Sequence, residues 1–461
     1  TTARDLPVDI VFGSCRTAYP HEEPYTLRKD EHDDGREVCG LRALALRLRT
    51  LPPESWPGAL LLLGDQIYAD ETEPDTQRFI ERRRDPEVPP GRQVGDFREY
   101  VHAYNVSWRQ PPIRWLLSTV ATAMIFDDHD VIDDWNTSLS WLEMIRAQGW
   151  WDERIVGAFV SYWIFQHLGN LSPQALETDD LWQQVQQADD AGQILRDFAF
   201  RADRAVDSTQ WSYCRDIGSA RLVMVDSRAG RVLEPGKRTM VDEDEWAFIE
   251  ESATSQQHDH LLIGSSLPWL MAPGMHHLEA WNEAISEGAW GKPGARVGEK
   301  LRQALDLEHW PAFNDSFRRL TRLIGRIGAG EDGEPPATIV ALGGDVHHAY
   351  LAEVAYPAGA NVRSRVYQAV CSPFRNPLDT RERRVIRGIS SMPAARLTRA
   401  LARRAGVEDP EITWKLRQRA VFDNVVATLH LNGRSASLTI ERARPLGGGD
   451  LTLETAFEGT L

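Results

Sequence analysis

Short apolar runs, each broken off by a polar cluster, recur along this chain. Residues 8–12, 60–63, 121–126, 261–263 and 338–342 are rich in leucine and β-branched residues and show little alternation. They run into Gly13-Ser14-Cys15, Gly64-Asp65, Asp127-Asp128-His129-Asp130, Gly264-Ser265-Ser266 and Gly343-Gly344-Asp345-Val346-His347-His348, respectively. Runs of this kind predict strands buried on both faces. In sheets of such strands, ligand groups gather in the loops beyond the carboxyl ends. Chemistry is therefore expected at these five junctions.

Between the strands the period changes. Residues 38–49 carry apolar positions at helical spacing, and 152–168 a broad aromatic and aliphatic face. Residues 137–204 read as a helical insertion in which Trp141, Trp150, Trp151, Trp163 and Trp182 pack rather than bind. After Ser364 strands return. Residues 393–404 read as a helix with proline in its first turn, and 420–442 as a hairpin around Asn432-Gly433. Residues 86–91 and 328–336 read as surface loops. The pattern predicts one elaborated α/β domain over 1–461, with 405–461 a strand-rich extension of it.

Composition narrows the function. In 461 residues, 42% hydrophobic and 26% charged, the chain is of ordinary globular make-up. Its net charge of −16 disfavours electrostatic capture of nucleic acid or an acidic membrane. No apolar run is long enough to span a bilayer. Cys15, Cys39, Cys214 and Cys371 lack CxxC spacing, so neither a disulfide scaffold nor a zinc ribbon is indicated. The start at Thr1 fits either a trimmed cytoplasmic chain or a processed secreted one. Oligomeric state is not legible.

Phe126 to Asn136 places five aspartates directly after a strand. Crowded buried carboxylates raise one another's pKa unless a cation or several donors compensate, and a metal is the simplest compensation. The plainer alternative is a solvated loop or a helix start capped by Asp. Asp65 adds a second carboxylate behind a turn-forming glycine, and Asp345 and His347 a carboxylate and an imidazole two residues apart. His347 or His348 would alternatively be a core histidine, and Cys15 an inert thiol. Oxygen and nitrogen donors suit iron, manganese, zinc or calcium, and the thiolate of Cys15 favours a transition metal at one position.

Phe12-Gly13-Ser14-Cys15, Leu63-Gly64-Asp65-Gln66-Ile67-Tyr68, Asp127-Asp128-His129-Asp130 and Gly344-Asp345-Val346-His347 together resemble the PhoD-like alkaline phosphatases, a branch of the calcineurin-like metallophosphoesterases. Val225-Asp226-Ser227-Arg228 resembles that family's Asp-Thr-Arg segment. The resemblance implies a four-layered sandwich of two mixed β-sheets flanked by helices, and hydrolysis of phosphate monoesters or diesters at a bi- or multinuclear metal centre. It implies that Cys15, Asp65 and Tyr68 hold iron, with Asp65 bridging to a second cation. Asp128 would ligate that cation, and Asp345 and His347 would complete the cluster. Asp134 and Asn136 would support an additional calcium, and Arg228 would contact a phosphoryl oxygen. His129 would face the phosphate as general acid, oriented by Asp130 or a neighbouring carboxylate.

The chain departs from the common pattern at Gln66 and at Asp130, and no N-terminal β-sandwich stands ahead of the first motif in this sequence, which leaves open whether the natural chain begins earlier or belongs to a shorter branch. Rival readings are a phosphodiesterase or phospholipase acting through the same centre, a non-catalytic calcium- or carbohydrate-binding module, and a serine hydrolase using Ser265 or Ser266. The last lacks the GxSxG elbow. Arg381 to Arg387 and the pair His276-His277 read as solvated surface, or alternatively as the fringe of the substrate cleft.

Overall fold

A computed structural model describes residues 6–461. All five predicted strands form. In chain order the strands are β1 (Val8–Gly13), β2 (Ala59–Leu63), β3 (Thr122–Ile125), β4 (Tyr213–Ile217), β5 (Ala220–Val225), β6 (His260–Ser265), β7 (Thr338–Gly343), β8 (Ala349–Ala355), β9 (Arg365–Val370), β10 (Thr413–Val421), β11 (Val425–Asn432), β12 (Ser435–Gly447) and β13 (Asp450–Thr460).

They build two mixed sheets. The first runs β13-β12-β11-β1-β2-β3 and the second β10-β8-β9-β7-β6-β5-β4. Within them β1, β2 and β3 are mutually parallel, as are β5, β6, β7 and β9. Every residue of β2, β5, β6 and β7 is buried, which is why their sequences do not alternate.

The inner faces meet in one core that joins Ile10, Phe12, Leu61 and Leu63 to Leu222, Met224, Val340 and Leu342. Each such side chain contributes about 1.5–3 kcal/mol on burial. The outer face of the first sheet packs Val11, Leu60 and Leu62 on the helices Gly40–Leu48 and Pro111–Thr119. That of the second packs Val225, Ile263 and Ile339 on Glu243–Thr254 and Asn314–Ala329. The result is the four-layered α/β sandwich.

Between β3 and β4 the chain is helical, from Leu139–Arg146 to Gly192–Arg204. Trp141, Trp151 and Trp163 are buried, and Trp150 and Trp182 pack against the same core. The four cysteines are unpaired thiols. No described helix is long and apolar enough to cross a membrane.

Three expectations need correction. The loop at 328–336 begins later, because the helix Asn314–Ala329 continues until Gly330, whose φ of 81° ends it. The hairpin at 420–442 is narrower: Ala420 and Val421 belong to β10 in the second sheet, and only β11 and β12 pair. His276 and His277 are not solvated surface; both are buried on the helix Pro273–Ser286, where His276 packs edge-on against Phe317 and Trp414.

Candidate metal centre

The parallel strands of both sheets deliver their carboxyl-terminal loops to one place, and the loops are bonded to each other. Cys15 N donates to Gly64 O (3.3 Å) and Gly344 N to Ser266 O (2.8 Å), while Asp345 N donates to Ser14 Oγ (3.0 Å). The approach is close enough to require glycine. A Cβ on Gly64, whose φ is +115°, would lie 2.6 Å from Asp127 Cβ, and one on Gly344 would lie 2.9 Å from Leu63 O. Six of the candidate residues, Cys15, Asp65, Asp134, Asn136, Asp345 and His347, have φ between 50° and 64°. Non-glycine residues adopt that region at a cost of about 1–3 kcal/mol each, and such strain persists where the surroundings impose it.

These loops bring together three sets of ligand atoms, each within 4.8 Å: Cys15, Asp65 and His347; Asp65, Asp128 and His129; and Asp127, Asp128 and Asp345. Asp65 and Asp128 each belong to two sets, so the three form a chain. Tyr68 joins the first end, its hydroxyl donating to Asp65 Oδ2 at 3.3 Å and accepting from Asn376 Nδ2 at 3.2 Å. Cys15 Sγ lies 3.0 Å from Ser14 Oγ and 3.2 Å from Ser372 Oγ.

Protein groups compensate the charge in this place only in part. Burial first, then neighbouring carboxylates, push Asp65 and Asp127 well above the usual carboxylate range and raise Asp128. The Cys15 thiol is likewise pushed up, by burial and then by Asp65 and Asp345. Burial lowers His347 to about 3, leaving the neutral imidazole that ligates metals. Asp65 Oδ1, Asp127 Oδ2, Asp134 Oδ1 and Asn136 Oδ1 are buried without a hydrogen-bond partner. Buried oxygens are rarely left so, and a cation is the partner this donor set fits.

Arg228 lies among these acids, and its place differs from expectation. It is fully buried, held by Asp127 and Glu308, with its second amino group 3.3 Å from Asp128 and 3.5 Å from Asp345. It neutralises the carboxylates from beneath and has no exposed atom for a phosphoryl oxygen. Asp130 also differs: its carboxylate accepts the backbone N–H groups of Asp65, Gln66, Ile67 and Asp127 at 3.0–3.3 Å. It ties two loops together and does not touch His129.

The carboxylate that orients His129 is Asp70, 2.9 Å from its Nδ1 and anchored by the backbone N–H of Asp133. Burial opposes charge on His129, but Asp70, Asp128 and Asp65 outweigh it and raise its pKa well above the ordinary value. Sequence reasoning did not single out Asp70, although it lies five residues past Asp65 in the same loop. It also passed over His309, whose Nδ1 bonds Glu279 (2.8 Å) and whose Nε2 bonds Asp345 (3.2 Å); His309 follows no strand, so no pattern marked it.

Asp134 and Asn136 stand apart from the three linked sets. Asp134 N donates to Asp128 Oδ2 (3.1 Å) and Asn136 Nδ2 to Arg228 O (3.2 Å). Ser265 and Ser266 are no nucleophiles: their hydroxyls donate to Leu267 O and Asp127, without a histidine.

Two facing sheets thus bring carboxylate, thiol and imidazole groups together at their strand ends, the donor set of a candidate metal centre. The model of the PhoD-like phosphatase family matches residues 52–383, most of the chain, and the chain belongs to that family. It is a metal-dependent phosphoester hydrolase. The solved structure of PhoD shares its fold, with 10% identity and a TM-score of 0.56 over 98% of this chain and 69% of that one. A purple acid phosphatase, PPD1 from yellow lupin (Lupinus luteus) seeds, aligns over 99% of this chain and 55% of that one, with 12% identity and a TM-score of 0.43. No curated protein matches.

Proposed function

We propose that Cys15, Tyr68, Asp65 and His347 hold an iron ion, and that Asp65, Asp128, Asp127 and Asp345 hold calcium, manganese or zinc beside it. The observation that carries this is the chain of three ligand sets linked through Asp65 and Asp128. The donors differ between the ends, with a thiol and an imidazole beside Asp65 at one and carboxylates alone at the other, which suits a transition metal such as iron at the first and an oxygen-liganded cation at the second. Asp134 and Asn136 would support a further calcium through their unpartnered oxygens. Bound cations would polarise the phosphoryl group and lower the pKa of water.

The protein's own residues then do the rest. Arg228 offsets part of the carboxylate charge beneath the site and helps hold the cluster together. His129, held by Asp70 through Nδ1 and lining the cleft with Asp133 3.7 Å from its Nε2, would donate a proton to the departing alkoxide. The ester is a phosphate monoester or diester. In the test, His129→Ala is assayed on an alkyl phosphate and on an activated aryl phosphate, whose leaving group needs no proton. Loss of about 10²–10⁴-fold on the alkyl ester with far less on the aryl ester is expected. Equal losses on both would overturn the acid role.

A further inference from the structure

The cleft in front of the ligand cluster leads into a second chamber. A cavity of about 370 Å³ runs from His129 and Asp345 to a wall that includes Met271, Met275, Ile386 and Ile389. A further cavity of about 610 Å³ abuts it across Ala272, His348, Tyr350, Ile386 and Ser390. Each alone falls within the roughly 300–1,000 Å³ of sites that enclose drug-sized ligands. A phosphoryl group with a short alcohol would leave most of this space to water.

The walls are specific in kind. The shared partition carries two rings, His348 and Tyr350, 5.3 Å apart, and the far chamber adds Phe422, 5.5 Å from His348. Tyr350 donates its hydroxyl to Leu270 O (2.5 Å), and His348 Nδ1 pairs with Val346 O (2.6 Å). Leu416, Ala420 and Met392 extend the apolar surface, and the far chamber also carries Arg387 and Arg419. The Arg387 guanidinium sits 5.0 Å from the centre of the Phe422 ring. Among the described residues neither arginine is in an ion pair, in a chain whose net charge is −16.

We infer that this second chamber is a subsite for the organic part of the phosphoester, and that it selects an apolar or aromatic body ending in a second anionic group. The inference rests on the phosphoesterase reading above. Burying the body against Met271, Ile386, Leu416 and Phe422 gains about 25 cal/mol per Å² of apolar surface. A carboxylate, sulfate or phosphate at its far end would meet Arg387 and Arg419, whose planar guanidinium groups match such oxyanions. Substrates of this enzyme would then be anionic at both ends and apolar between.

Three esters with the same phenolic leaving group keep the chemistry constant: phenyl phosphate, 4-octylphenyl phosphate, and the octyl analogue with a terminal carboxylate. Phosphate release is measured for each. The expected order of kcat/KM is phenyl, octyl, carboxylate-tipped, with about tenfold between first and second and a further several-fold for the third. In Arg387→Ala/Arg419→Ala the ratio of the carboxylate-tipped to the octyl ester falls to about one, and in Ala420→Trp the ratio of octyl to phenyl ester falls likewise. If phenyl phosphate is hydrolysed and the three esters differ less than twofold, or the double arginine variant leaves both ratios unchanged, the subsite is refuted and the metal chemistry stands. If the metal-loaded protein hydrolyses none of the three, the phosphoesterase reading falls, and the subsite with it.

Discussion

At the scale of single residues, burial and partners separate groups that look alike in sequence. Asp128, Asp130 and Asp70 are all aspartates near His129, yet one lies in the ligand cluster, one staples backbone and one orients the imidazole. Asp70→Asn keeps the shape and removes the charge facing Nδ1. We expect kcat on an alkyl phosphate to fall about 10–100-fold while bound metal stays at the parent level, because side chains that orient a catalytic histidine contribute on that scale. Unchanged kcat would show that His129 needs no such partner. The acids at strand ends were legible because carboxylates following apolar runs stand out. The buried position of Arg228 was not, since nothing in Asp226-Ser227-Arg228 tells whether a guanidinium reaches a substrate or lies beneath a cluster of acids. That depends on Glu308, distant in sequence, closing over it.

At the scale of elements, the strands that seat the site were the readable ones. β2, β6 and β7 are continuous apolar runs, and their burial on both faces explains the lack of alternation. β10 was not separated from β11 because only three residues, Phe422, Asp423 and Asn424, carry the chain from one sheet to the other. The crossing is fixed by Asn424, whose amide donates to Arg36 O (2.8 Å) and Val38 O (2.9 Å), a long-range pairing that no local pattern reveals. The loops beyond the strands depend on close approach. Gly344→Ala would drive a methyl into Ser14 and Leu63 O. It should lower stability by about 1–3 kcal/mol, the usual cost of overpacking, and reduce bound metal, as followed by denaturant melts and elemental analysis. A variant as stable and metal-loaded as its parent would show that these loops yield more than their packing implies.

At the scale of the whole molecule, the sandwich holds more buried acid than the metal chemistry uses. Glu245, on the helix Glu243–Thr254, accepts from Ser212 N (3.0 Å), and burial with Asp226 beside it raises its pKa to about 8. In the unfolded chain it ionises near ~4.3. Between those values the folded protein keeps a proton that the unfolded chain has released, so stability is fully present below the lower value and is lost as pH rises through about 8. Glu245→Gln removes this dependence. Its melting temperature relative to the parent should rise as pH is raised from about 5 to about 9, whereas a constant difference would place the carboxyl in no such role.

The central claim is that Cys15, Asp65, Asp128, Asp345 and His347, from four separate loops, surround shared cations. Elemental analysis of folded protein purified without chelator tests it most directly, with Asp65→Ala and Asp128→Ala alongside and their folding checked by circular dichroism. At least two metal equivalents per chain are expected in the parent, including iron, with loss of one or more in each variant. A parent chain that is folded but metal-free, or variants that bind as much metal as the parent, would contradict the account.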